Sequence, residues 1–148
     1  MRLMAKMEGV EAMRKRWRDL IEICPREASK SLQRFLVHIT NDVKNAIRSG
    51  PKTGKIYGEH QASAPGEAPA KDKGGLTDHT RWVLSADRLS GYVIIDEPYA
   101  TRLEFGDNEK KDGFAFIEPR PYLYPSLRYQ TPIFQADIKA ALKEACKR

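Results

Sequence analysis

No stretch of this chain holds the ~18 consecutive apolar residues that a membrane-crossing helix needs, so no membrane partner is expected. Met1 to Val10 carries basic residues but no apolar segment of the kind a secretory signal contains. The expected place of synthesis is therefore a cytoplasm. Cysteine is scarce: Cys24 and Cys146 stand far apart without metal-type spacing, and a cytosolic disulfide between them is not expected. The three histidines, His38, His60 and His79, show no ligand spacing with cysteines or carboxylates, and His38 reads as structural, beside the apolar face of a helix. Catalytic patterns are missing too. Gly50 to Gly58 lacks the Gly-Lys-Ser/Thr ending of a phosphate-cradling loop. No strand precedes Ser63-Ala-Pro-Gly, so it is not a nucleophile elbow. Glu104 has no second carboxylate to form an acid/base pair; its expected role is a hydrogen bond or salt bridge to a helix end or across an interface. Neither an enzyme nor a cofactor is expected.

What remains is a chain of 148 residues, 31% charged and 41% hydrophobic, long enough for one compact domain with a real core. Its net charge of +6 is uneven: residues 1–50 carry +5, 51–75 +1, 76–118 −4 and 119–148 +4. An acidic middle between basic ends suits nucleic-acid contact, or complementary surfaces on neighbouring copies of one subunit.

Apolar periodicity predicts two N-terminal helices within residues 8–48. In the first, over 8–23, Val10, Met13, Trp17, Leu20 and Ile21 recur at spacings of three and four, with Trp17 expected in the core. Cys24-Pro25 should break it, because proline disfavours helical geometry in the residue before it. The second, from Pro25 to about Arg48, has Ala28, Leu32, Phe35, Leu36, Ile39, Val43, Ala46 and Ile47 on one face. Ser49-Gly50-Pro51 ends it. Residues 50–75 hold six glycines and three prolines with almost no large apolar side chain. They are expected to form a mobile arm that cannot bury enough to order itself and is ordered mainly by a partner.

Residues 76–118 should form a small antiparallel or mixed sheet and a short helix. Thr80–Leu89 and Tyr92–Ile95 read as a hairpin with Trp82 facing inward, and Phe114–Ile117 as a further strand. Between them lies Asp96-Glu-Pro-Tyr-Ala-Thr-Arg-Leu-Glu-Phe-Gly106, with Pro98 where a helix can begin, acid at its positive end and Gly106 where the chain can leave it. A helix this short is stable only when docked. Asp107–Gly113 is a charged loop. Within 119–148, Pro119, Pro121 and Pro125 keep the chain extended, and a last helix is expected from Pro132 to Cys146 with Thr131 as N-cap. The fold class read from this pattern is α+β: a sheet packed against a long N-terminal helix and a C-terminal helix, with an extended Pro/Gly-rich arm. The cluster Arg14-Lys-Arg-Trp-Arg could contact phosphates without sequence specificity.

Four stretches in order carry a family resemblance over roughly residues 8–146: Ala64-Pro65-Gly66-Glu67-Ala68-Pro69, Gly74-Gly75-Leu76, Tyr99-Ala100-x-x-Leu103-Glu104-Phe105-Gly106, and Arg120-Pro121-Tyr122-Leu123-x-Pro125-Ser126-Leu127. Together they resemble the tail-component family of long-tailed bacteriophages, the tail-completion or tail-terminator-like proteins. The resemblance implies a small α+β subunit that forms a ring, expected to be six-fold, at the head-proximal end of the tail tube. That ring would stop tube growth and join the tail to the head connector, with DNA passing through its channel. It also implies partners in the tail-tube protein and a head-closure or connector protein, and a location in the virion after assembly in the host cytoplasm. A head-closure or adaptor role in the phage neck is the neighbouring alternative. On this analogy Tyr99–Gly106 with Arg120 and Pro121 is structural, and the arm around Pro65, Gly66, Glu67 and Pro69 reaches a neighbouring subunit or the next ring.

Overall fold

The computed structural model describes residues 10–71, 74–107 and 116–147. Its fold is α+β, with two long helices and two small antiparallel sheets. The first helix, α1, runs unbroken from Val10 to Ser49 with Pro25 inside it, so the expected break at Cys24-Pro25 does not occur. A proline within a helix removes one backbone hydrogen bond and crowds the preceding turn. That local cost is overridden because a second long helix, α4 (Leu123–Ala145), packs antiparallel along α1. Phe35 stacks on Phe134 with ring centroids 4.5 Å apart. Arg34 meets Asp137 at 2.8 Å, and Gln130 donates to Asp42 at 2.5 Å. Towards the far end, Arg16 donates to the carbonyl of Cys146 at 2.9 Å.

The core gathers at the C-terminal half of α1. Leu36, Ile39, Val43 and Ile47 are buried there, as their spacing predicts, and Leu76, Ala100 and Tyr122 close over them. The N-terminal half behaves differently. Met13, Trp17 and Ile21 are exposed, while Leu20 and Ile23 are half-buried. Trp17 is therefore not a core residue. The apolar stripe is real, but the C-terminal end of α4 meets only its Leu20 edge, together with Ile23, and leaves Met13, Trp17 and Ile21 exposed.

Strands β3 (Thr80–Leu84) and β4 (Gly91–Ile95) form the expected hairpin, paired from Thr80↔Ile95 to Leu84↔Gly91. Thr80, Trp82 and Leu84 face inward while Arg81 and Val83 face out, the alternation of a sheet with one covered face. Strand and helix approach closely at Gly91: a Cβ there would lie 2.4 Å from Leu36 Cδ1. The connection spans 85–90, so the first strand ends at Leu84 rather than at the expected Leu89. The Ser85 and Asp87 side chains organise it, and Arg88 takes a φ of 59°. The expected strand at Phe114–Ile117 lies partly outside the described residues; Phe116 and Ile117 are in no strand.

Residues 50–71 are not the structureless arm that composition suggests. They form a small hairpin, β1 (Ile56–Tyr57) with β2 (His60–Gln61), then double back onto the body. Ser63 and Pro69 are buried, Ala68 packs against the core, and the Lys71 amide donates to the Ile47 carbonyl at 3.2 Å. A one-turn helix, α2 (Gly75–Asp78), follows and buries Leu76 and Thr77.

Candidate functional site

The short helix predicted between Pro98 and Gly106 is present as α3 (Ala100–Phe105). The Gly106 amide closes its last turn onto the Arg102 carbonyl at 2.8 Å, and Gly106 leaves it with a φ of 73°. A Cβ there would lie 2.8 Å from Pro119 Cδ and 2.9 Å from the Ile117 oxygen, so backbone angle and space both demand glycine. Arg102, near the end of α3, is ion-paired with Asp107, and this hydrogen bond raises the pKa of the guanidinium. Upstream, His79 Nδ1 lies 2.5 Å from Glu97 Oε1.

Glu104 is the centre of the site. Its side chain is buried, and its two oxygens accept three backbone hydrogen bonds from the start of α4: Tyr122 at 2.9 Å and Leu123 at 3.0 Å on Oε2, and Tyr124 at 2.8 Å on Oε1. The next residue is Pro125, which has no N–H to satisfy. One carboxylate thus meets every orphan donor of the helix's first turn and places negative charge at the positive end of its dipole. The expected role of Glu104 at a helix end is the observed one. The expected helix start is not, because α4 begins at Leu123 and Thr131-Pro132 lies inside it. Thr131 bonds back to the Leu127 carbonyl at 2.7 Å instead of capping. A cap supplied by α3 outweighs the local Thr-Pro signal.

The remaining polar groups tie the same place together. The Tyr122 hydroxyl donates to the Ala100 carbonyl at 3.1 Å, and burial, with the Glu104 carboxylate beside it, pushes the phenol pKa well above its ordinary value. The Arg120 amide donates to the Leu103 carbonyl at 2.7 Å, and the Gly66 amide to the Pro119 carbonyl at 2.9 Å. Glu67 accepts from Thr53 Oγ1 at 2.5 Å, the Thr53 amide at 3.0 Å and the Ala64 amide at 2.8 Å. Those hydrogen bonds, the Thr53 hydroxyl foremost, hold its carboxyl below the usual range, and the Arg120 charge adds to the effect. The structure therefore brings together three stretches that the sequence separates. Ala100, Leu103, Glu104 and Gly106 meet Arg120 and Tyr122, and Gly66 and Glu67 join them. Pro69 is buried nearby, whereas Pro65, Tyr99 and Phe105 are exposed and Pro121 is half-buried.

Sequence reasoning missed Glu67 as an organiser. Its signal was faint: an acid among small residues, three positions after an amide it caps. A pH dependence follows. A carboxyl with a lowered folded pKa contributes stability above its unfolded value and loses it as pH falls through the folded one. Glu67 in the arm and Asp87 in the hairpin turn are both lowered. Below the unfolded values of 4.5 and 3.8, amides over 53–67 and 85–90 should lose protection relative to their intrinsic exchange rates, while those of α1 keep theirs. Hydrogen exchange between pH 3 and 7 measures this; no acid-dependent difference between these loops and α1 would refute it.

Among the described residues no group of His, Cys, Asp and Glu is placed to hold a metal ion, and no helix is long and apolar enough to cross a membrane. Cys24 is half-buried and Cys146 exposed, both as free thiols, and His38 is exposed on α1. Comparison with protein-family models, curated proteins and solved structures finds no match to this chain. A carboxylate, a glycine and several main-chain groups lock α3, α4 and the arm to one another.

Proposed function

We propose that this chain is a structural subunit of a bacteriophage tail, of the tail-completion or tail-terminator kind. In this reading it assembles as a ring, taken as six-fold from the family resemblance, that closes the tail tube and meets the head connector. It acts without catalysis or cofactor, and DNA passes through the channel without sequence-specific contact. Its place is the neck of the virion, after assembly in the host cytoplasm. The observation that supports this best is how the polar motif residues are used. Glu104, in the Tyr99–Gly106 stretch, directs both carboxylate oxygens to amides of the Arg120–Leu127 stretch, a use that serves assembly geometry rather than turnover. The exposed β1–β2 hairpin, with Ile56 and Tyr57 outward, and the exposed Pro65–Gly66 turn are then the arm's contacts with a neighbour.

A second reading, nonspecific nucleic-acid binding, gains from one finding: Trp17 is exposed among Arg14, Lys15, Arg16 and Arg18, as a stacking residue within a phosphate-contacting helix would be. Negative-stain imaging of the chain with tail-tube protein separates the two. Rings seated on tube ends are the expected result. A chain that leaves tube length unchanged, yet retards DNA with a steep salt dependence, would favour the second reading and overturn the first.

A further inference from the structure

α1 separates two apolar features, one level with each of its ends. At its N-terminal end Met13, Trp17 and Ile21, spaced i, i+4, i+8, form a convex ridge, and they are 54%, 60% and 72% exposed. Level with its other end lies a groove of about 330 Å³ between β4, α3 and the first turns of α4. Its walls are apolar: Val93 and Ile95 from the sheet, Phe105 from α3, Tyr124 and Leu127 from α4. Phe105 and Tyr124 remain 70% and 59% exposed. The ridge cannot reach the groove of its own chain. Trp17 and Val43 are 26 positions apart on one continuous helix, roughly 40 Å at 1.5 Å per residue.

We propose that the ridge of one copy seats in the groove of the next. Charge supports a second copy as the occupant. Arg14 and Arg18 flank the ridge. Among the described residues that line the groove there is no lysine or arginine, and Glu104 contributes a carboxylate. Ridge against ridge would instead bring two arginine-flanked edges together. Area agrees as well. Counting roughly 150–250 Å² for a whole aromatic side chain, the exposed parts of ridge and groove supply roughly 600–800 Å² of apolar surface. That is about half of the ~1,200–2,000 Å² in a stable interface, the rest of which is polar rim. Since the two patches differ and lie at opposite ends of the helix, the contact is head-to-tail, which closes a ring or grows a filament according to its rotation. The contact deepens the proposed function and rests on it for the expectation that the series closes.

Sedimentation velocity on the purified full chain, without phage partners, tests it through complementation. Trp17→Glu removes the ridge and Phe105→Lys blocks the groove; both side chains are exposed, and circular dichroism checks that each variant keeps its helix content. The wild type should show concentration-dependent species larger than a dimer. Each variant alone should be monomeric, with association weakened at least tenfold. An equimolar mixture retains one good ridge and one good groove, so it should stop at a heterodimer. The Met13→Lys and Leu127→Lys pair should repeat the pattern. A wild type monomeric throughout, a variant that assembles normally, or Phe105→Lys dimers that gain nothing from mixing would each overturn the contact. Tube-seated rings formed equally well by both variants would overturn it while leaving the proposed function standing.

Discussion

Glu104→Ala should cost the protein about 3 kcal/mol of stability. Three amides of the α4 first turn, at 2.8–3.0 Å from the carboxylate, lose their acceptor together. A cap is worth roughly 0.5–2 kcal/mol and a hydrogen bond to a charged group roughly 1.5–3. Water can reach some of the freed donors, since Leu123 is half-buried and Tyr124 exposed, so the sum is not realised in full. For a chain of this length the melting temperature should fall by roughly 6–12 °C, at about 2–4 °C per kcal/mol. Glu104→Gln should cost about half as much, because one oxygen still accepts while the new amide group opposes a donor. Glu118→Ala, at an exposed carboxylate nearby, should change stability by less than about 0.5 kcal/mol. Thermal denaturation of the three variants decides the matter. A loss below 1 kcal/mol for Glu104→Ala would mean that the carboxylate does not hold the helix.

The second large effect is a contrast within one helix. Ile39 is 2% exposed in the centre of the core and Ile21 is 72% exposed, both on α1. Helix propensity changes by the same amount when either becomes alanine, so the difference isolates burial. Ile39→Ala should cost about 3–4 kcal/mol, the transfer of the lost methyl groups plus the cavity they leave. Ile21→Ala should fall within about 0.5 kcal/mol of the wild type. Urea denaturation at a concentration where the chain is monomeric measures both midpoints. Equal losses at the two positions would show that the N-terminal half of α1 is covered in the folded monomer.

Much of the fold was legible because it is local. Leu36, Ile39, Val43 and Ile47 repeat at helical spacing, and all four are buried. The Thr80–Leu84 and Gly91–Ile95 strands alternate or are β-branched, and Gly106 marks an exit that only glycine can take. What was not legible depends on partners distant in sequence. Pro25 and Thr131-Pro132 are strong local punctuation, yet α1 and α4 pack along each other and run through both. The true start of α4 is written 19 residues upstream, in Glu104. The arm has too little apolar surface to order by burial, but Glu67 orders it with hydrogen bonds, which no composition measures. Trp17 shows the opposite limit. Periodicity identifies which face of a helix is apolar, but not whether the same chain covers it.

The joint between α3, α4 and the arm has one more consequence. Its groups are mostly main-chain: the amides of Gly66, Arg120, Tyr122, Leu123 and Tyr124, and the carbonyls of Ala100, Leu103 and Pro119. Every residue type carries a carbonyl and nearly every one an amide, so such a joint dictates few letters of the alphabet. Glu104, Glu67 and Gly106 are pinned by what they alone can do, and most of their partners can change identity without a hydrogen bond being lost. A lineage built on this architecture can wander far through sequence space while its shape stands still.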